Sequence, residues 1–149
     1  MRLLVLCTHN SARSQIAEGW LRQYAKANDL VLEIHSAGTE KTFVKKDAIA
    51  VMAEVGIDLS LHSSKTLSTL SDPWNFDYVL TVCDSAHKAC PSYPASTTRL
   101  HVSFPDPSGQ SLEVWRKVRD DIAKMAERFI ECLRKNELVT EEVLKASLE

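Results

Sequence analysis

At 149 residues and 44% hydrophobic content, the chain is long enough for one domain with a substantial core. Its 18 basic residues against 20 acidic ones give a formal net charge of −2, which is not the footprint of a nucleic-acid binder. The apolar opening Leu3–Leu6 is too short for a signal-peptide core, and no run approaches the roughly 20 apolar residues that cross a bilayer. A soluble, cytoplasmic protein with no nucleic-acid or membrane partner is therefore expected.

Residues 2–6 form a near-continuous apolar run, the pattern of a central parallel strand covered on both faces. From Ser14 the period becomes helical, with Ile16, Ala17, Trp20, Leu21 and Tyr24 on one face. Residues 30–36 read as a second strand ended by Ala37-Gly38, and 46–55 as a second helix closed by Gly56. A third strand is expected over 77–82 and a weaker fourth over 98–103. The last long helix, about 110–135, carries a buried stripe of Val114, Trp115, Val118, Ile122, Met125, Phe129 and Leu133, with Cys132 beside it as a core residue. Residues 137–149 read as a short helical extension, solvated by default, to a single domain at 1–136. Alternating strands and helices imply an α/β fold with a parallel sheet and helices on both faces. Ligands of such sheets bind beyond the carboxyl ends of the strands, so the residues after strands one, three and four should converge.

Directly after strand one comes Cys7-Thr8-His9-Asn10-Ser11-Ala12-Arg13-Ser14, then a helix. Successive N–H groups of a tight loop and the helix dipole favour an anion there, and a guanidinium can grip two of its oxygens. The same field should depress the Cys7 pKa and make it nucleophilic, with Ser14 donating a hydrogen bond to the thiolate. The plain alternative is a core cysteine ahead of an ordinary helix start. The other cysteines, at 83, 90 and 132, have neither the compartment for structural disulfides nor the paired spacing of a zinc site. Each is a buried small hydrophobe or a reactive thiol.

The stretch from Leu6 to Gly19, with Ser36-Ala37-Gly38-Thr39 and Val55-Gly56-Ile57-Asp58, resembles the signature shared by low-molecular-weight protein tyrosine phosphatases and thioredoxin-coupled arsenate reductases. The resemblance covers residues 1 to about 136. It implies the low-molecular-weight phosphatase fold, a monomer, a sheet in order 2-1-3-4, and an oxyanion loop formed by Thr8, His9, Asn10, Ser11, Ala12 and Arg13. Within that family Thr81-Val82-Cys83 through Cys90-Pro91 is similar to the reductases, which carry two cysteines seven apart followed by proline. The implied chemistry is a thiol–arsenate adduct on Cys7, attack by Cys83 that releases arsenite, and a Cys83–Cys90 disulfide reduced by thioredoxin, with a glutathione–glutaredoxin route as the alternative. Phosphate and sulfate would compete as oxyanions. Two core thiols, or a metal site of Cys83, His87 and Cys90, are the remaining readings of this segment.

Asp106, on the loop Phe104-Pro105-Asp106-Pro107, matches the family's general acid; a turn or helix-capping aspartate is the plain reading. Ser108 and Gly109 stand where the phosphatases usually carry tyrosines, and Ala12 replaces a loop cysteine common among them. Both departures favour the reductase over a phosphotyrosine phosphatase, although weak phosphatase activity is retained by some reductases of this fold. No cofactor is required, but Asn10, Glu18, Ser36 and Ser63 match positions that bind a potassium ion in some related reductases. A hydrogen-bond network shaping the loop fits those four equally well. His62 reads as a packing or hydrogen-bonding residue, and Lys45-Lys46, where many relatives have proline, as bearing on local stability only.

Overall fold

The computed structural model describes residues 1–149 and places the apolar run Arg2–Cys7 as the central strand β1. Strands β2 (Glu33–Gly38), β3 (Tyr78–Thr81) and β4 (Thr98–His101) complete a parallel sheet in the order β2-β1-β3-β4. Every β1 residue from Leu3 to Cys7 is buried, so both faces of the strand are covered. Helices α1 (Arg13–Ala27), α2 (Lys46–Ala53), α3 (Asp84–Ala89), α4 (Leu112–Arg134) and α5 (Glu141–Ala146) supply the crossovers and the C-terminus. Helices α1, α2 and α4 pack on one another, while α3 lies against β1 and β3. None is long and apolar enough to cross a membrane.

Arg2 fixes the amino end of the sheet. Its guanidinium donates to the carbonyls of Ser71, Asp72 and Asn75 at 2.6–2.8 Å, pairs with Glu33, and lies over the Phe76 ring. Five donors in a planar fork suit this role, which a lysine could not fill.

Strand β2 begins three residues later than its apolar pattern suggests. Asp29 is left-handed (φ 56°), and the Leu30 N–H closes back on the Ala25 carbonyl at 2.9 Å. The helix stop therefore consumes Leu30, and pairing starts at Arg2↔Glu33. At the other end Ala37 and Gly38 stay in the sheet, opposite Leu6 and Cys7. Regular β4 is shorter than expected, but Val102 and Phe104 still donate to the Thr81 and Val82 carbonyls at 3.0 Å, leading the chain to Asp106.

In α4, Trp115, Val118, Ile122, Met125, Phe129 and Cys132 are buried. Val114 is exposed and Leu133 only half-buried, contrary to the apolar spacing. Arg119 is buried in the helix instead, donating to the Val51 carbonyl (3.0 Å) and to Glu54 (2.8 Å), which ties α4 to the end of α2. The C-terminal segment is not a solvated helix. Val139 and Leu144 are buried in the core, and the Glu141 carboxylate accepts the His101 N–H at 2.8 Å on the edge strand β4. Truncating a fully buried leucine costs about 2–5 kcal/mol. Leu144→Ala should therefore lower the urea midpoint by that equivalent at unchanged m-value, whereas a loss below about 0.5 kcal/mol is what a detached surface helix would show.

Candidate active site

Strand β1 delivers Cys7 to the carboxyl edge of the sheet, and five residues then turn into α1. Asn10 makes the turn in the left-handed region (φ 50°), which asparagine tolerates better than most residues. Beneath the turn lies Gly38. A Cβ there would sit 2.6 Å from the Thr8 carbonyl oxygen and 2.8 Å from the Asn10 nitrogen, so only glycine fits. Helix α1 starts at Ala12 with no side-chain cap and no acidic residue in its first turn. Helices α3, α4 and α5 are each capped by a side chain, from Cys83, Ser111 and Thr140. The open start of α1 leaves its N–H dipoles for an anion.

A cavity of about 160 Å³ faces this start, lined by Cys7, His9, Ser11, Ala12, Arg13, Lys45, Asp106 and Ser108. It brings the loop together with the segment after β4. Arg13 donates from Nη1 to the Phe104 carbonyl at 2.8 Å, Nη2 lies 3.9 Å from Asp106, and its buried Nε has no partner. The guanidinium is thus held at the cavity with donor capacity in hand. Thr8 is half-buried and His9, at the cavity rim, is exposed and pairs with Glu40 at 3.1 Å, whereas Asn10, Ser11 and Ala12 are buried.

The thiols are arranged differently from the expectation of a Cys7 thiolate. Cys7 and Cys83 are both buried, and each is the strongest influence on the other's titration. Cys83 Sγ also accepts the Ala86 N–H and contacts the Thr8 hydroxyl, each at 3.4 Å. The Cys7 pKa is pushed up, first because its proton is engaged by Cys83 and then by burial, with Arg13 opposing. Cys83 is brought down to about 5, chiefly by the Cys7 thiol, with help from Thr8, Ala86 and Arg13 against burial. The positive field of Arg13 acts on both sulfurs, and the two thiols titrate as one coupled pair. Ser14 makes no bond to Cys7 here; its buried hydroxyl accepts from Asn10 Nδ2 at 2.8 Å.

Cys83 and Cys90 flank the two ends of α3 as its N-cap and C-cap. Cys90 is half-buried, its thiol pointing to the Pro91 carbonyl, and burial pushes its pKa up against the nearby Arg99. A hollow of about 300 Å³ opens beside it, lined partly by Thr81, His87, Arg99 and Glu141. All four cysteines are free. His87 stacks on His101 with centroids 4.2 Å apart, and no three His, Cys, Asp or Glu side chains converge to hold a metal.

Asp106 is half-exposed, its Oδ1 accepting the Ser108 N–H at 3.0 Å. Burial works to raise its pKa, but Ser108, Arg13 and Lys45 together hold it below the usual carboxylate value. In the ligand-free protein it is therefore ionised at neutral pH. An oxyanion in the cavity would bring like charge against it and raise its proton affinity.

Asn10, Glu18 and Ser36 form a chain beneath the loop: Asn10 Nδ2 donates to Ser36 Oγ (2.9 Å), which donates to Glu18 Oε1 (2.5 Å). Ser63 joins through its carbonyl, which accepts from Gln15 Nε2 at 3.0 Å. Gln15, fully buried, also donates to the Asn10 carbonyl and side-chain oxygens and meets His62 at 3.0 Å. Its polar character within an apolar helix face was the available sign of this role. Lys45 bears on more than local stability: its side chain lines the cavity and its N–H donates to the Ser11 carbonyl at 2.9 Å. Two consecutive lysines at a helix start carry no spacing signal that points to this.

The family model described as low molecular weight phosphotyrosine protein phosphatase matches residues 2–139. A relative from Bacillus cereus (strain 03BB102), named arsenate reductase, is 39% identical over 126 residues, covering 85% of this chain and 91% of its own. Among solved structures, an arsenate reductase in the phosphate binding state aligns with TM-score 0.70 at 32% identity over 87% of this chain and 96% of its own. A low molecular weight protein tyrosine phosphatase from T. tengcongensis aligns with TM-score 0.77 at 28% identity, over 88% and 98% of the two chains.

The thiol arrangement predicts an unusual titration. Thiolate absorbance near 240 nm should show a step at a pH of about 5 in the reduced protein, and Cys83→Ser should remove it. A step that survives Cys83→Ser and disappears in Cys7→Ser would place the charge on Cys7 instead.

Proposed function

The chain belongs to the low-molecular-weight phosphotyrosine protein phosphatase family, and within it we propose that this protein reduces arsenate to arsenite, drawing electrons from thioredoxin through Cys7, Cys83 and Cys90. The observation that carries the reading is that Cys7 lines the oxyanion cavity while buried Cys83, close enough to shift its titration, caps one end of α3 and a third thiol caps the other. Phosphoryl transfer needs Cys7, Arg13 and Asp106 but has no use for the other two thiols.

Arsenate binds against the loop N–H groups and the α1 start, with Arg13 taking two of its oxygens. The Cys7 sulfur attacks arsenic while its proton moves to the Cys83 thiolate in contact with it. One arsenate oxygen leaves as water, receiving a proton from Asp106, whose proton affinity the bound oxyanion has raised. Cys83 then attacks the Cys7 sulfur and gives its proton to an arsenic-bound oxygen. An S–S bond forms, the S–As bond breaks, and its electron pair stays on arsenic, which departs as arsenite. As α3 opens, Cys90 leaves its buried site, loses its proton to solvent and attacks Cys83 as a thiolate; the Cys7–Cys83 bond breaks, Cys7 departs as a thiolate and a Cys83–Cys90 disulfide remains. An external dithiol returns that pair to its reduced form. Phosphate and sulfate, tetrahedral oxyanions of similar shape, compete for the same cradle.

The last exchange constrains α3. Seven residues of helix span about 10.5 Å, while a disulfide needs Cα atoms within roughly 4.4–6.8 Å. The six-residue helix between the two cysteines must therefore unwind when they join.

The primary test is NADPH consumption with arsenate, thioredoxin and thioredoxin reductase. Steady turnover is expected, collapsing in Cys90→Ser. Inertness towards arsenate with clear hydrolysis of an aryl phosphate would place the protein with the phosphatases, and turnover that survives Cys90→Ser would replace the last step with an outside thiol. Amide exchange over 84–90 should accelerate on oxidation; equal protection in both redox states is inconsistent with the relay.

A further inference from the structure

Four residues beneath the anion loop raise the question of what supplies positive charge there. Asn10, Glu18, Ser36 and Ser63 converge, but their oxygen atoms are already engaged by nitrogen donors. The Ser63 carbonyl accepts from Gln15 Nε2 at 3.0 Å and from Lys65 Nζ at 3.3 Å. Asn10 Oδ1 accepts from Gln15 Nε2 at 3.0 Å and from the Lys65 N–H at 3.1 Å. Glu18 is surrounded by Arg22 Nε at 3.0 Å, His62 Nδ1 at 3.6 Å and Lys65 Nζ at 3.9 Å. A hard cation is held by oxygen lone pairs directed at it. These residues do not fit a potassium ion, because an ammonium group already lies between the Ser63 carbonyl and Glu18, and a second cation would crowd like charge.

We propose that Lys65 Nζ is the built-in cation of this loop, standing in place of a bound potassium ion, and that the oxyanion cradle therefore works independently of potassium. Lys65 is placed for this by its backbone as well as its side chain. Its N–H donates to Asn10 Oδ1 and its carbonyl accepts the Gly38 N–H at 2.8 Å, so the main chain is clipped to the loop from below. The ammonium lies on the loop side of Glu18 and shares its neutralisation with Arg22; Glu18 is buried and accepts from Ser36, which in turn accepts from Asn10, the residue that sets the turn. Lys65 is thus a positioning residue. It touches no oxyanion, but it holds the charge balance of the network that shapes the N–H cradle.

The inference rests on the oxyanion-cradle part of the proposed function and not on arsenate turnover, so inorganic phosphate serves as the probe. Phosphate affinity and the thermal midpoint are measured in potassium, sodium and choline chloride at equal ionic strength. The unaltered protein should give the same values in all three. Lys65→Met, which keeps most of the stem and loses the charge, should bind phosphate about fivefold more weakly, the scale of a partly exposed ion pair. Part of that loss should be recovered in potassium but not in choline. Lys65→Arg should stay close to the unaltered protein. Potassium-selective tightening or stabilisation of the unaltered protein would overturn the proposal, as would a Lys65→Met variant that is either indifferent or equally weakened in all three salts. The comparison of salts on the unaltered protein remains decisive if Lys65→Met does not fold.

Discussion

The passage of the Cys7–Arg13 loop over Gly38 is the contact on which the site depends. With no room for a Cβ at residue 38, loop and β2 approach at backbone distance, and the Thr39 and Glu40 N–H groups both donate to the Thr8 carbonyl. Asn10 then turns in the left-handed region with its side chain buried and paired with Ser14, Ser36, Gln15 and Lys65. A buried polar network is costly if half satisfied, and rigid if complete. Here it is complete enough to tie the loop to β2, α1 and residues 63–65 at once. The loop N–H groups are therefore aimed before any anion arrives, so little reorganisation is needed when one binds.

A site so biased toward negative charge has to manage that bias at rest. The structure does so with its own groups. Cys83 is drawn toward its thiolate form, Asp106 is ionised beside Arg13, and the Phe104 carbonyl takes one edge donor of the guanidinium. The Asp106 and Phe104 contacts compete with an incoming oxyanion for Arg13. In the reading proposed here the competition is useful, because displacing it changes protonation in the directions the chemistry needs. Negative charge near Asp106 favours its acid form, and a filled cradle lets the proton between Cys7 and Cys83 move.

The sequence made the framework legible because its signals are local. A strand, an anion loop and a helix follow one another within about 27 residues, and the alternation of periods leads to the parallel α/β sheet found, its order being what the family resemblance implied. Boundaries failed where tertiary contacts override the pattern. Leu30 looks like strand but completes the α1 stop, and Val114 matches the α4 stripe but is exposed while Arg119 is buried. Within the site, Cys7, Arg13, Cys83 and Asp106 could be nominated one at a time, but not which sulfur bears the charge. That depends on donors from Thr8 and Ala86 brought together only by the fold. Gln15, Lys45 and Lys65 escaped for the same reason: each acts through partners distant in the chain.

The short helix α3 joins the chemistry to the motion it requires. Six residues form a marginal helix by themselves, because nucleation is costly and few intrahelical bonds offset it. What holds its first turn is the Cys83 sulfur, accepting the Ala86 N–H as an anion. In the proposed relay that sulfur loses its negative charge when it takes the Cys7 proton, and once bonded to Cys7 it caps only as a neutral acceptor. The step that makes Cys83 an electrophile for Cys90 thereby loosens the helix that keeps Cys90 away. No separate trigger is needed, since the nucleophile of the first exchange is also the cap of the element that must open for the second.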